Sequence, residues 1–178
     1  MDNIFANNSV KLKSFDWSQL GDIKNGRGNL GEDMPVIVYR LMQYTIMDVL
    51  YTKFGKEEGG SYIRDAGYLA GTEFSKNVLD LNLGFDEFIS HLRETLKALK
   101  IGILRVEYSD VETGEIVLTV SEDLDCSGLP MTSEAVCIYD EGFLAGILEM
   151  YTGKKYAFRE VDCWATGDRV CRFVGKTI

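Results

Sequence analysis

Cys137, Glu160, Cys163 and Cys171 fall within one short C-terminal stretch of this chain. Thiolate sulfur and carboxylate oxygen are donor types that suit a tetrahedral Zn²⁺ ion. The spacing departs from the familiar zinc pattern of paired cysteines two residues apart, so folding must gather the donors. Glu160 and Cys163 lie where a strand would end, Gly167-Asp168 marks a turn, and Val170–Val174 reads as the returning strand. Such a hairpin sets Cys163 and Cys171 together across its strands. Cys137, at the start of the preceding helix, closes the site from outside. Cys126 lies apart in the loop Cys126-Ser127-Gly128-Leu129-Pro130. It reads as a buried thiol, a reactive thiol, or a fourth ligand replacing Glu160, since thiolate is the commoner structural donor. Four protein ligands leave no open position for water, so such a zinc would be structural and not hydrolytic.

The elements that position these residues follow from periodicity and turn signals. Residues 1–33 are polar and glycine-rich, with Val10–Lys13 suited to a short strand. Gly26-Arg27-Gly28 has no strand before it and no Lys-Ser/Thr after it, so it is a plain loop and not a phosphate cradle. Pro35 opens a helix over 35–53 that is apolar on nearly every face. That pattern predicts a core helix or a dimer interface; Arg40, Gln43 and Asp48 argue against a membrane span. A second helix is predicted over 61–78, where Gly67 and Gly71 share a face and admit close packing. A third carries Phe85, Phe88, Ile89, Leu92, Leu96 and Leu99 on one stripe. Strands 103–108 and 115–120 make a hairpin through Thr113-Gly114. The last helix is predicted from an N-cap at Ser133 to Tyr151, stopping at Gly153, and a hairpin over 155–174 closes the chain. The order predicts an α/β (α+β) fold, an antiparallel sheet backed by helices.

The pattern Cys137-x4-Gly142-x3-Gly146, then Glu160-x2-Cys163-x3-Gly167-Asp168-x2-Cys171-x-Phe173, resembles the 4-vinyl-reductase domain family. That family also supplies the ligand-sensing domain of phenol- and xylene-responsive transcription activators. Leu30-Gly31, the apolar segment after Pro35 and Gly67-x3-Gly71 fit its layout more loosely. The resemblance implies a fold related to that of Golgi-tethering and nitric-oxide-signalling proteins. It also implies a zinc ion held by Cys137, Glu160, Cys163 and Cys171, with Cys126 outside the set. The kinship with haem sensors draws attention to His91, yet a lone helical histidine is far more often an ordinary polar residue.

At 178 residues the chain is read as one domain over 1–178, with 1–33 irregular and 134–174 the zinc-binding part. The net charge of −9 argues against nucleic acid and against anionic membrane surfaces. The polar, acidic start Met1-Asp2-Asn3 does not resemble a signal peptide, which predicts a cytoplasmic location and reduced cysteines. Catalysis has little support. There is one histidine, no nicotinamide or flavin fingerprint is present, and Asp123, Asp125, Asp140 and Glu141 read as solvated charges. The reading is therefore a zinc-stabilised, sensor-like binding domain, expected to be a homodimer, for a small hydrophobic or aromatic molecule. Phe88, Tyr108, Phe143 and Phe158 are its candidate pocket walls. The alternatives are an enzyme or accessory protein acting on a tetrapyrrole, and a dimeric structural adaptor without ligand.

Overall fold

A computed structural model describes residues 14–110 and 112–178. The short strand expected over Val10–Lys13 lies outside them. The elements run α1 (Ile23–Gly26), α2 (Val36–Phe54), α3 (Lys56–Val78), α4 (Phe85–Ala98), β1 (Ile103–Asp110), β2 (Glu115–Ser121), α5 (Ile138–Thr152), β3 (Tyr156–Asp162) and β4 (Cys171–Thr177). The four strands form one antiparallel sheet in the order β1-β2-β4-β3. This is the helix-backed antiparallel sheet that the element order predicts.

The sheet is covered by the apolar sides of α4 and α5. Phe88, Leu92 and Leu96 of α4 and Ile147 and Leu148 of α5 are buried with Leu104, Leu118 and Phe173 of the strands. The α4 stripe matches its helical period; only Leu99, one residue past the helix, is exposed. Gly114, at φ +68°, lets the β1–β2 hairpin close at the expected turn.

Helices α3 and α5 cross with their backbones nearly touching. A Cβ on Gly67 would stand 2.0 Å from the Tyr139 carbonyl oxygen, and one on Gly142 would stand 1.9 Å from that of Arg64. No side chain fits there, so the glycine spacing serves helix packing, as its sequence suggests.

Two boundaries and the burial of one helix differ from expectation. Helix α3 starts at Lys56, five residues earlier than predicted. Gly59 and Gly60 lie inside the helix, where Gly59 admits Leu50 and Tyr51 of α2. Helix α5 starts at Ile138 with Cys137 at its cap, so Ser133 is not the N-cap. The chain before it is held elsewhere, the Thr132 amide donating to the Ala165 carbonyl. The third difference is α2. None of its residues is buried by the rest of the described chain, which overturns the core-helix alternative. Ile37 is 73% exposed and Leu41 66%. No described helix is long and apolar enough to cross a membrane.

Candidate metal centre

The four cysteines converge from four places in the chain. Cys126 comes from the loop after β2, Cys137 from the cap of α5, Cys163 from the end of β3 and Cys171 from the start of β4. All four are buried, and their sulfur atoms lie within 4.8 Å of one another. Cys137 Sγ stands 3.9 Å from Cys163 Sγ and 3.8 Å from Cys171 Sγ. Zn–S bonds of ~2.3 Å in a tetrahedron give sulfur–sulfur edges of ~3.8 Å, so these separations suit the ion. Cys126 and Cys171 approach to 3.1 Å, well beyond a bonded pair, and all four thiols are free.

The hairpin brings Cys163 and Cys171 together across β3 and β4 as read from the sequence. Between them the chain makes a 3-10 turn, Trp164–Thr166, that ends in the left-handed Gly167. The Cys163 amide donates to the Thr166 hydroxyl at 3.2 Å, fixing the backbone that carries the sulfur.

Glu160 lies beside the sulfur cluster. Its Oε2 accepts the Cys137 amide at 2.9 Å, while Oε1 is buried without a hydrogen-bond partner among the described residues. Burial pushes its carboxyl up to about 8. Glu160 and Cys126 thus both border the centre, and only Cys126 contributes a donor atom to the close four-sulfur group.

The loop that presents Cys126 is shaped by Asp123, whose Oδ1 accepts the amides of Asp125 and Cys126 at 2.8 and 3.2 Å. Helix α2 clamps it from outside. Arg40 donates to the carbonyls of Leu124 and Ser127, and the Tyr44 hydroxyl donates to that of Asp125. These positioning residues escaped the sequence reading. Arg40 stands out in the sequence as a charge on an otherwise apolar helix, whereas nothing in the sequence singles out Tyr44.

The acidic residues are a correction. Asp123, Asp125 and Glu141 are buried, not solvated, and Asp140 is half-buried at the start of α5. Glu141 is paired, with Oε2 2.6 Å from Arg64 Nη2 and Oε1 accepting the Glu160 amide at 2.9 Å. Desolvation raises Asp125 to about 7 and raises Asp123 and Asp140 also. Hydrogen bonding with Cys126 pulls Cys163 down and holds Cys137 and Cys171 up. So much acceptor chemistry in one buried region is what a divalent cation would relieve.

Beside the centre is a cavity of about 320 Å³ between the segment before α1, helices α2, α3 and α5, and the Cys126 loop. Trp17, Tyr39, Phe74, Tyr139 and Phe143 line it, with Asp125 and Asp140. Of the four aromatic residues singled out in the sequence, Phe143 alone is among its lining residues. Phe88 is buried, stacked on Tyr151 at 3.9 Å between centroids, and Phe158 packs on Gly175 in the core. Tyr108 is exposed on β1. His91 is half-buried on α4 and is not among the residues lining the cavity.

Residues 116–177 match the family model of the 4-vinyl-reductase domain. Over those residues the chain is similar to the 4-vinyl-reductase domain. That match spans β2, α5, β3 and β4 and includes all four cysteines and Glu160, while α2 and α3 lie upstream of it. An uncharacterized protein of Methanocaldococcus jannaschii is 29% identical over 124 residues, 70% of each chain. A crystal structure of a vinyl-4-reductase family protein from the same organism superposes with a TM-score of 0.62 at 18% identity. It covers 94% of this chain and 99% of that one, so the fold shared with that family extends over the upstream helices. The phenol-responsive sensory domain of the transcription activator PoxR, crystallized with phenol, gives 0.58 at 15% identity, over 81% and 75% of the two chains. A trafficking protein particle complex subunit 3 from Naegleria fowleri, covalently bound to palmitic acid, gives 0.56 at 16%, over 81% and 97%. The kinship with tethering subunits expected from the sequence is present in the fold.

Proposed function

We propose that this protein is a metal-stabilised, sensor-like domain that binds a small, largely apolar molecule. The observation that carries the reading is one loop serving two sites: Asp125 lines the aromatic cavity and Cys126 joins the sulfur cluster. The fold neighbours point the same way, since one was crystallized with phenol and another carries a fatty acid.

The ion is structural zinc, held by Cys126, Cys137, Cys163 and Cys171, and Glu160 orients Cys137 through its amide. When bound, it supplies cross-linking and charge neutralisation and no open coordination position. The protein residues do the rest: Asp123 shapes the loop, and Arg40 and Tyr44 hold it against α2. The domain over 1–178 acts as one unit in this reading. Its output passes through a second copy docked on the exposed apolar side of α2, which presents Ile37 and Leu41.

The test is ligand binding by thermal shift with small aromatic compounds, comparing wild type with Ala70→Phe, which fills the cavity from α3. Stabilisation of wild type and none of the variant is the expected result. Equal stabilisation of both would place binding elsewhere. A porphyrin-like absorbance in protein as purified would favour the tetrapyrrole alternative instead.

A further inference from the structure

From Ser18 to Val38 every residue is exposed, and in the segment just before, residues 14–17, only Phe15 and Trp17 are half-buried. Phe15, Trp17 and Leu20 line the aromatic cavity, whose other walls come chiefly from α2, α3, α5 and the Cys126 loop. The segment is shaped by its own contacts. Asp16 Oδ1 accepts the Ser18 amide at 2.9 Å and caps the 3-10 turn Trp17–Leu20, and the Gly21 amide closes that turn on the Ser18 carbonyl. Among the described residues it has one hydrogen bond to the rest of the protein, from the Trp17 amide to Glu73 Oε2 at 3.3 Å. The other oxygen of Glu73 is taken by Lys76.

Directly after the turn, Gly21 sits at φ 70° and ψ −166°, a conformation essentially reserved for glycine. A Cβ built on it meets nothing within 4 Å, so this glycine serves the backbone and not packing. A short segment that is ordered within itself, and joined to the body by one long hydrogen bond and two half-buried rings, lifts without disturbing the core. With the cavity empty, the Trp17 ring lacks packing partners on that side. A ligand inside supplies them, so binding and closure favour each other.

We propose that residues 14–20 are a strap that lifts about Gly21 to admit the ligand and closes on it, with Trp17 meeting the bound molecule. This rests on the cavity being the ligand seat, as proposed above, and adds its route of entry.

Chymotryptic cleavage after Trp17 in the full chain, followed by mass spectrometry, reads the lifted strap, and 2-naphthol is the cavity probe. Saturating probe should slow that cleavage at least about fivefold in wild type and leave it unchanged in Ala70→Phe. Gly21→Ala strains the closed strap alone. It should speed cleavage about tenfold without probe, with circular dichroism unchanged. The same variant should take up 2-naphthol faster in stopped-flow fluorescence, since entry waits on the lifted state. Cleavage indifferent to a probe that calorimetry shows bound to wild type and not to Ala70→Phe overturns the strap and leaves the cavity reading standing. A Gly21→Ala chain cleaved or loaded at the wild-type rate does the same. No binding of 2-naphthol to wild type overturns both.

Discussion

The Cys137 amide donates to Glu160 Oε2 at 2.9 Å, tying the cap of α5 to strand β3 directly beside the sulfur cluster. One oxygen of the carboxylate is thereby engaged by the backbone of a cysteine, and Cys126 is the fourth sulfur of the cluster. Glu160→Ala leaves a buried amide without its acceptor, which costs about 1–3 kcal/mol. Glu160→Gln keeps a carbonyl oxygen at that place and should recover most of the loss. Urea denaturation of the two variants checks the ordering; equal stability of both with wild type would mean that the hydrogen bond contributes nothing.

The α3–α5 crossing makes a sharper claim. Gly142→Ala drives a methyl group to 1.9 Å from the Arg64 carbonyl oxygen, and rigid backbone on both sides cannot yield. The cost should be about 3 kcal/mol or more, at the upper end for overpacking. Gly60→Ala is the control. Its new Cβ meets Ile138 Cδ1 at 3.5 Å, ordinary contact, and helix propensity should return ~0.5–1 kcal/mol. Thermal denaturation should separate the pair in opposite directions from wild type.

Helix α2 carries its own prediction. Leu41→Glu places a charge on the exposed apolar side without touching the Arg40 and Tyr44 contacts to the Cys126 loop. Sedimentation velocity should show wild type as a dimer and the variant as a monomer with its fold unchanged. A wild-type monomer at high concentration would contradict the docking surface proposed for α2.

Much of this architecture was legible because its signals are local. The α4 stripe, the Gly114 turn and the β3–β4 hairpin depend on residues a few positions apart, and each is present. The convergence of Cys163 and Cys171 followed from that hairpin. What could not be read was tertiary. Asp125 and Glu141 look like solvated charges in a string of residues, and only packing against Tyr39 and Arg64 buries them. The start of α5 was misjudged because Ser133 offers a good cap chemically, while the chain there is drawn toward Ala165 by a contact 33 residues distant. The apolar pattern of α2 says that the helix wants cover and cannot say from which molecule. Cys126 stayed undecided because the sequence places it in a loop, and a loop's direction is set by Arg40 and Tyr44, more than 80 residues upstream.

The central claim is a four-thiol metal centre, and elemental analysis of protein purified without added metal tests it most directly. Wild type should carry about one zinc per chain, as a single closed tetrahedral site requires. Cys126→Ser should lose it and Glu160→Gln should keep it. Zinc retained by Cys126→Ser and lost from Glu160→Gln would put the carboxylate among the ligands in place of the sulfur, and wild type without metal would contradict the centre altogether.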